Sequence, residues 1–122
     1  MSTIERIQLP GGPAPRGPYS PAVRAGDFIF VSGQVPSTPG EIGDETRQVL
    51  ENLKRVLEGC GATLADVAKC SVFLAEGKDF AAMNQVYTEF FGESRPARTT
   101  VVSAFALPNI KIEIDAIAYK PK

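Results

Sequence analysis

Ile110-Lys111-Ile112-Glu113-Ile114-Asp115-Ala116-Ile117-Ala118-Tyr119 alternates between apolar and charged residues as far as Ala116. In extended backbone Ile110, Ile112, Ile114, Ala116 and Ala118 share one face, and Lys111, Glu113, Asp115, Ile117 and Tyr119 share the other. The first face is wholly apolar and needs a cover, and a sheet covered on one side by helices supplies it. Upstream of the Leu107-Pro108-Asn109 break, Thr99-Thr100-Val101-Val102 reads as a further strand.

The cover is legible further back. Val49, Leu50, Leu53, Val56, Leu57 and Cys60 recur at helical spacing over Glu45 to Glu58, with Gly59 and Gly61 as stop signals. A second helix is expected from an Asp79 cap through Phe80, Met83, Val86, Tyr87, Phe90 and Phe91 to Gly92. Between the helices, Val67 to Leu74 reads as a strand. Ala22-Val23-Arg24-Ala25 and Phe28-Ile29-Phe30-Val31-Ser32 flank Gly26-Asp27 as a hairpin. The expected class is α+β, in the order β-β-α-β-α-β-β, as a single domain over residues 1–122. Phe28 to Val31 is apolar on both faces, and one helical layer covers only one of them, which points to a partner subunit.

Composition narrows the chemistry. Thirteen basic and fourteen acidic residues leave a net charge of -1, so no positive field gathers polyphosphate and nucleic acid is not the expected partner. The longest apolar runs are far shorter than the roughly 20 residues of a membrane span. Met1 to Arg6 lacks the apolar core of a secretion signal, so a cytoplasmic location is expected. Two cysteines, Cys60 and Cys70, make no disulfide framework and are read as reduced packing residues. Histidine is absent, which removes the usual base of serine or cysteine triads and the commonest transition-metal ligand. No metal or cofactor site is expected.

Three segments could carry chemistry: Gly17-Pro18-Tyr19-Ser20-Pro21 in a proline-rich loop, Ser32-Gly33-Gln34-Val35-Pro36 at a strand end, and Arg95-Pro96-Ala97-Arg98-Thr99-Thr100. Arg98 sits at a loop-to-strand junction, where its planar fork could grip a carboxylate in bidentate fashion or lie solvated at the surface. Glu113, among isoleucines, is either the polar side of an amphipathic strand or a shielded carboxylate able to shuttle a proton. Tyr19 either packs locally or walls a pocket. Ser32 and Gly33 mark a simple turn or a close backbone approach to a ligand. Asn84 reads as a polar-face residue of the second helix.

In order and spacing these blocks, together with Met83-Asn84 through Tyr87, Phe90-Phe91-Gly92, Pro96-Ala97-Arg98 and Lys111 to Ala116, resemble the RidA/YjgF family of reactive intermediate deaminases along nearly the whole chain. The resemblance implies a chorismate-mutase-like α+β fold and a homotrimer with clefts between subunits. It implies cofactor-free hydrolysis of 2-aminoacrylate, 2-aminocrotonate or related 2-imino acids to 2-keto acids and ammonia. By the same resemblance Arg98 binds the substrate carboxylate and Glu113 positions or activates water. Tyr19, Ser32 and Gly33 line the cleft, and Asn84 lies near it. Thr100 stands where many members carry cysteine, and the Gly92-Glu93-Ser94-Arg95 loop is short. The alternatives are an aminomuconate or aminoacrylate deaminase of a particular pathway, an endoribonuclease, and a non-catalytic keto-acid-binding module.

Overall fold

The computed structural model describes residues 3–12 and 15–122. Met1, Ser2, Pro13 and Ala14, which belong to the N-terminal and proline-rich stretches read above, lie outside the described residues. Six strands form one sheet: β1 (Ile4–Ile7), β2 (Ala22–Ala25), β3 (Phe28–Gln34), β4 (Val67–Leu74), β5 (Ala97–Val102) and β6 (Ile112–Tyr119), in the order β1-β2-β3-β6-β4-β5. Among the described residues only β4 and β5 run parallel. Helices α1 (Ile42–Gly59) and α2 (Phe80–Phe91) complete the fold, with α2 as the crossover from β4 to β5.

The alternation in β6 holds. Ile112, Ile114, Ala116 and Ala118 are buried, whereas Glu113, Asp115 and Ile117 are half-buried. The buried row joins Ile29 and Val31 of β3, Cys70, Val72 and Leu74 of β4, Val49, Leu50, Leu53 and Leu57 of α1, and Met83 of α2 in one cluster. The opposite face of the sheet carries Phe28 and Phe30, each 44% exposed, and Tyr119, 48% exposed. Phe28 and Tyr119 pack edge to face, with centroids 5.2 Å apart. The doubly apolar β3 therefore buries one face and leaves its phenylalanines uncovered within the chain.

Two details differ from the sequence reading. Strand β1 was not expected, because its residues are largely exposed and it pairs only with β2, which leaves no buried face to print a pattern. Asp79 does not cap α2. It ends a short 3-10 turn, Gly77–Asp79, with helical backbone angles, and its side chain makes no cap hydrogen bond.

Buried Glu45 ties the long connections to α1. Its carboxylate accepts hydrogen bonds from the N–H groups of Gly40 (3.0 Å) and Lys111 (2.8 Å), and the Lys111 ammonium donates to the Gly40 carbonyl at 2.6 Å. The loop entering β6 is thereby clamped just ahead of Glu113.

Candidate active site

Glu113 owes its position to an irregularity in β3. Val31 pairs with Ala116 and Gln34 with Ile114, so β3 advances three residues while β6 advances two. This is a bulge at Ser32-Gly33. Ser32 is held there by its hydroxyl, which donates to the Ser20 carbonyl at 2.6 Å, and by its N–H, which donates to the Pro21 carbonyl at 3.0 Å. These bonds dock the end of the proline-rich loop on the strand. Gly33 then lets the Glu113 side chain lie on its backbone, since a Cβ at Gly33 would stand 2.9 Å from Glu113 Cδ and nearer still to Oε2.

Tyr19 projects from the same loop, half-exposed. Its hydroxyl oxygen accepts the Arg16 N–H at 3.3 Å, and its ring covers Gly17, where a Cβ would be only 3.3 Å from the ring. Tyr19, Ser32, Gly33 and Glu113 all line one cleft of about 740 Å³, closed on its far side by Asn52 and Arg55 of α1. Burial, and then repulsion from Asp115, raises the Glu113 carboxyl above its ordinary value. A carboxylate with raised proton affinity, facing a cleft, is equipped to hold and deprotonate water.

Arg98 and Asn84 are elsewhere. Arg98 registers with Cys70 across β4, and Glu113 registers with Phe73. Those two β4 positions point to opposite faces of the sheet. Arg98 accordingly lies against α2, with its guanidinium over the rings of Tyr87 and Phe80. Strands β5 and β6 flank β4, two strand spacings or about 9.6 Å apart. One chain therefore holds its candidate residues apart: Glu113 in the cleft, and Arg98 on the edge strand β5. Asn84, on α2 within about one turn of both Phe80 and Tyr87, is half-buried with its Oδ1 buried and unpartnered.

Two partners of Arg98 were missed in the sequence. Phe80 and Tyr87 read as part of an apolar helical stripe, and only the crossover geometry brings Arg98 over them. The polar atoms on that buried face were the available signal. Thr100 Oγ1 and the Tyr87 hydroxyl, like Asn84 Oδ1, are buried with no hydrogen-bond partner. Burial, with Cys70 adjoining, pushes the Tyr87 phenol far above its ordinary value, and burial pushes the Cys70 thiol up to about 11. Both stay protonated at neutral pH. Cys60 and Cys70 are free thiols. Among the described residues no three His, Cys, Asp or Glu side chains converge as a metal site, and no helix is long and apolar enough to cross a membrane.

The family model described as endoribonuclease L-PSP matches residues 11–120. The chain belongs to this family. Its L-PSP relatives, also called RidA/YjgF proteins, include a RutC family protein of Pyrococcus horikoshii, 50% identical over 95% of this chain and 98% of the relative. Another is the 2-iminobutanoate/2-iminopropanoate deaminase of Dermatophagoides farinae, 40% identical over 96% of this chain and 97% of that protein. Among solved structures, E. coli TdcF with bound serine superposes with a TM-score of 0.88 at 34% identity, covering 95% of this chain and 98% of that one. The L-PSP fold is thus the fold expected from the residues, with one strand more at the N-terminus.

Proposed function

We propose that the protein is a deaminase that hydrolyses small 2-imino acids and their enamine tautomers to 2-keto acids and ammonia. The observation that carries this reading is the bulge at Ser32-Gly33, which holds a carboxyl of raised proton affinity in a cleft walled by Tyr19. The named deaminase relative and the serine held by TdcF support a substrate of amino-acid size bearing a carboxylate.

In this mechanism Arg98 takes the substrate carboxylate in a bidentate grip. Glu113 accepts a proton from water as the water oxygen bonds to C2 of the imine; the C=N electron pair moves to nitrogen, and Glu113 returns the proton there. The hydroxyl proton of the resulting carbinolamine then passes by way of Glu113 to the amine, an oxygen electron pair forms the C=O bond, the C–N bond breaks, and ammonia leaves. An imine carbon is already electrophilic, so alignment of substrate and water with one proton acceptor supplies what the step needs.

Because Arg98 and Glu113 lie on opposite faces of one chain's sheet, the reading requires that neighbouring copies complete each site. A homotrimer, closed over Phe28, Phe30 and Tyr119, does so and covers the apolar face. Light scattering should give a mass near three subunits. The decisive experiment couples the protein to a threonine dehydratase and follows 2-ketobutyrate release. The native chain should accelerate it, Arg98→Ala should lose nearly all acceleration, and Glu113→Ala should lose most. Equal rates for native protein and Arg98→Ala refute the assignment. The same residues would serve an aminoacrylate or aminomuconate substrate, and running those imines in parallel ranks them.

A further inference from the structure

Arg98 meets α2 through aromatic faces. Its guanidinium carbon lies 4.8 Å from the Tyr87 ring centroid and 5.6 Å from that of Phe80. The guanidinium is thus within cation–π range of both rings. None of the five ion pairs among the described residues uses Arg98. Its charge is held by π-faces and is not consumed by a carboxylate of its own chain.

The geometry points to a new role for these two rings: we propose that Phe80 and Tyr87 are positioning residues, an aromatic clamp that fixes the Arg98 fork for the substrate carboxylate. Cation–π contact occupies the flat faces of a guanidinium and leaves its in-plane N–H donors unspent. Those donors are the ones a bidentate carboxylate contact uses. A long arginine side chain on an edge strand would otherwise lose rotamer freedom on each binding event, and a clamp removes that loss beforehand. The two rings are unequally placed. Tyr87 is 6% exposed and belongs to the core, whereas Phe80 is 46% exposed at the rim. The Tyr87 hydroxyl adjoins both Cys70 and Arg98, and the unpartnered Asn84 Oδ1 lies on the same helix face.

The functional meaning of the clamp rests on reading Arg98 as the carboxylate anchor, so the test separates the two. The order parameter of the Arg98 Nε–H vector is measured by NMR on the assembled, labelled protein without substrate. It should be high in the native chain and in Tyr87→Phe, which keeps the ring, and low in Phe80→Leu and Tyr87→Leu. Phe80→Leu changes a half-exposed side chain, so the test survives if Tyr87→Leu fails to fold. Binding of 2-ketobutyrate, measured by calorimetry, should weaken about fivefold in Phe80→Leu. KM should rise while kcat holds, and Phe80→Leu should add nothing in an Arg98→Ala background. An Arg98 vector that stays ordered in Phe80→Leu overturns the clamp. Lost order with unchanged 2-ketobutyrate affinity overturns the clamp's part in carboxylate binding, whereas unchanged affinity in Arg98→Ala overturns Arg98 as the anchor.

Discussion

Replacing Gly33 with alanine tests whether the bulge exists to seat Glu113. A Cβ at Gly33 would stand 2.9 Å from Glu113 Cδ, whereas carbon atoms settle at about 3.5–4.0 Å. The carboxyl must therefore retreat by about 0.6–1.1 Å, and its oxygen by more. A misplacement of about 1 Å in a catalytic constellation lowers the rate about 10²-fold, roughly 2.7 kcal/mol of barrier. The fold should hardly notice. Gly33 does not have a positive φ, so alanine carries no backbone strain there. The entropic gain of ~0.4–1 kcal/mol in the unfolded chain offsets part of a repacking penalty of ~1–3 kcal/mol. The assay is the dehydratase-coupled release of 2-ketobutyrate, run beside a urea titration. Gly33→Ala should keep its unfolding free energy to within ~2 kcal/mol and lose about two decades of kcat/KM. Adding Glu113→Asp, which withdraws the carboxyl by one methylene, should recover part of the loss. A Gly33→Ala protein with native kcat/KM would refute the role given to Glu113.

Titration offers a second handle. Glu113 is raised above 4.5, and a base works only when ionised, so kcat/KM should fall as pH drops through that raised value. Its effect on stability has the opposite sign: the native state favours the protonated form, so this contribution is present at low pH and fades as pH rises through the raised value. Asp115→Asn removes the repulsion and should move the acid limb of the pH–rate profile downward; a stationary limb would assign that limb to another group. Glu45→Ala leaves the part-buried Gly40 and Lys111 N–H groups without their acceptor. It should cost about 3–5 kcal/mol in urea unfolding, and a loss below ~1 kcal/mol would show that the loops hold without it. Leu53, fully buried between helix and sheet, should lose about 2–5 kcal/mol as alanine, by the same measurement.

Much of the architecture was legible because burial writes itself into the chain as a period. The alternation through Ile112–Tyr119 and the helical stripe of Val49, Leu50, Leu53, Val56 and Leu57 each record which side faces the core. Where no side is buried, nothing is recorded, and β1 went unread for that reason. The Asp79 cap failed for a related reason. A capping residue type predicts a helix start only if the backbone turns extended there, and the Gly77–Asp79 turn keeps it helical.

By itself the sequence determined the order of the elements from β2 to β6, the core rows, the absence of histidine and a small set of candidate residues, among them Arg98, Glu113, Tyr19, Ser32 and Gly33. Their distribution in space was decided by the tertiary structure. Strand parity and sheet order send Arg98 to the α2 side and Glu113 to the cleft, and the crossover brings Arg98 over the rings of Phe80 and Tyr87. The bulge brings Gly33 under Glu113. Periodicity is a local property of a chain, readable a few residues at a time. Convergence depends on register between strands distant in sequence, which only the packed sheet sets.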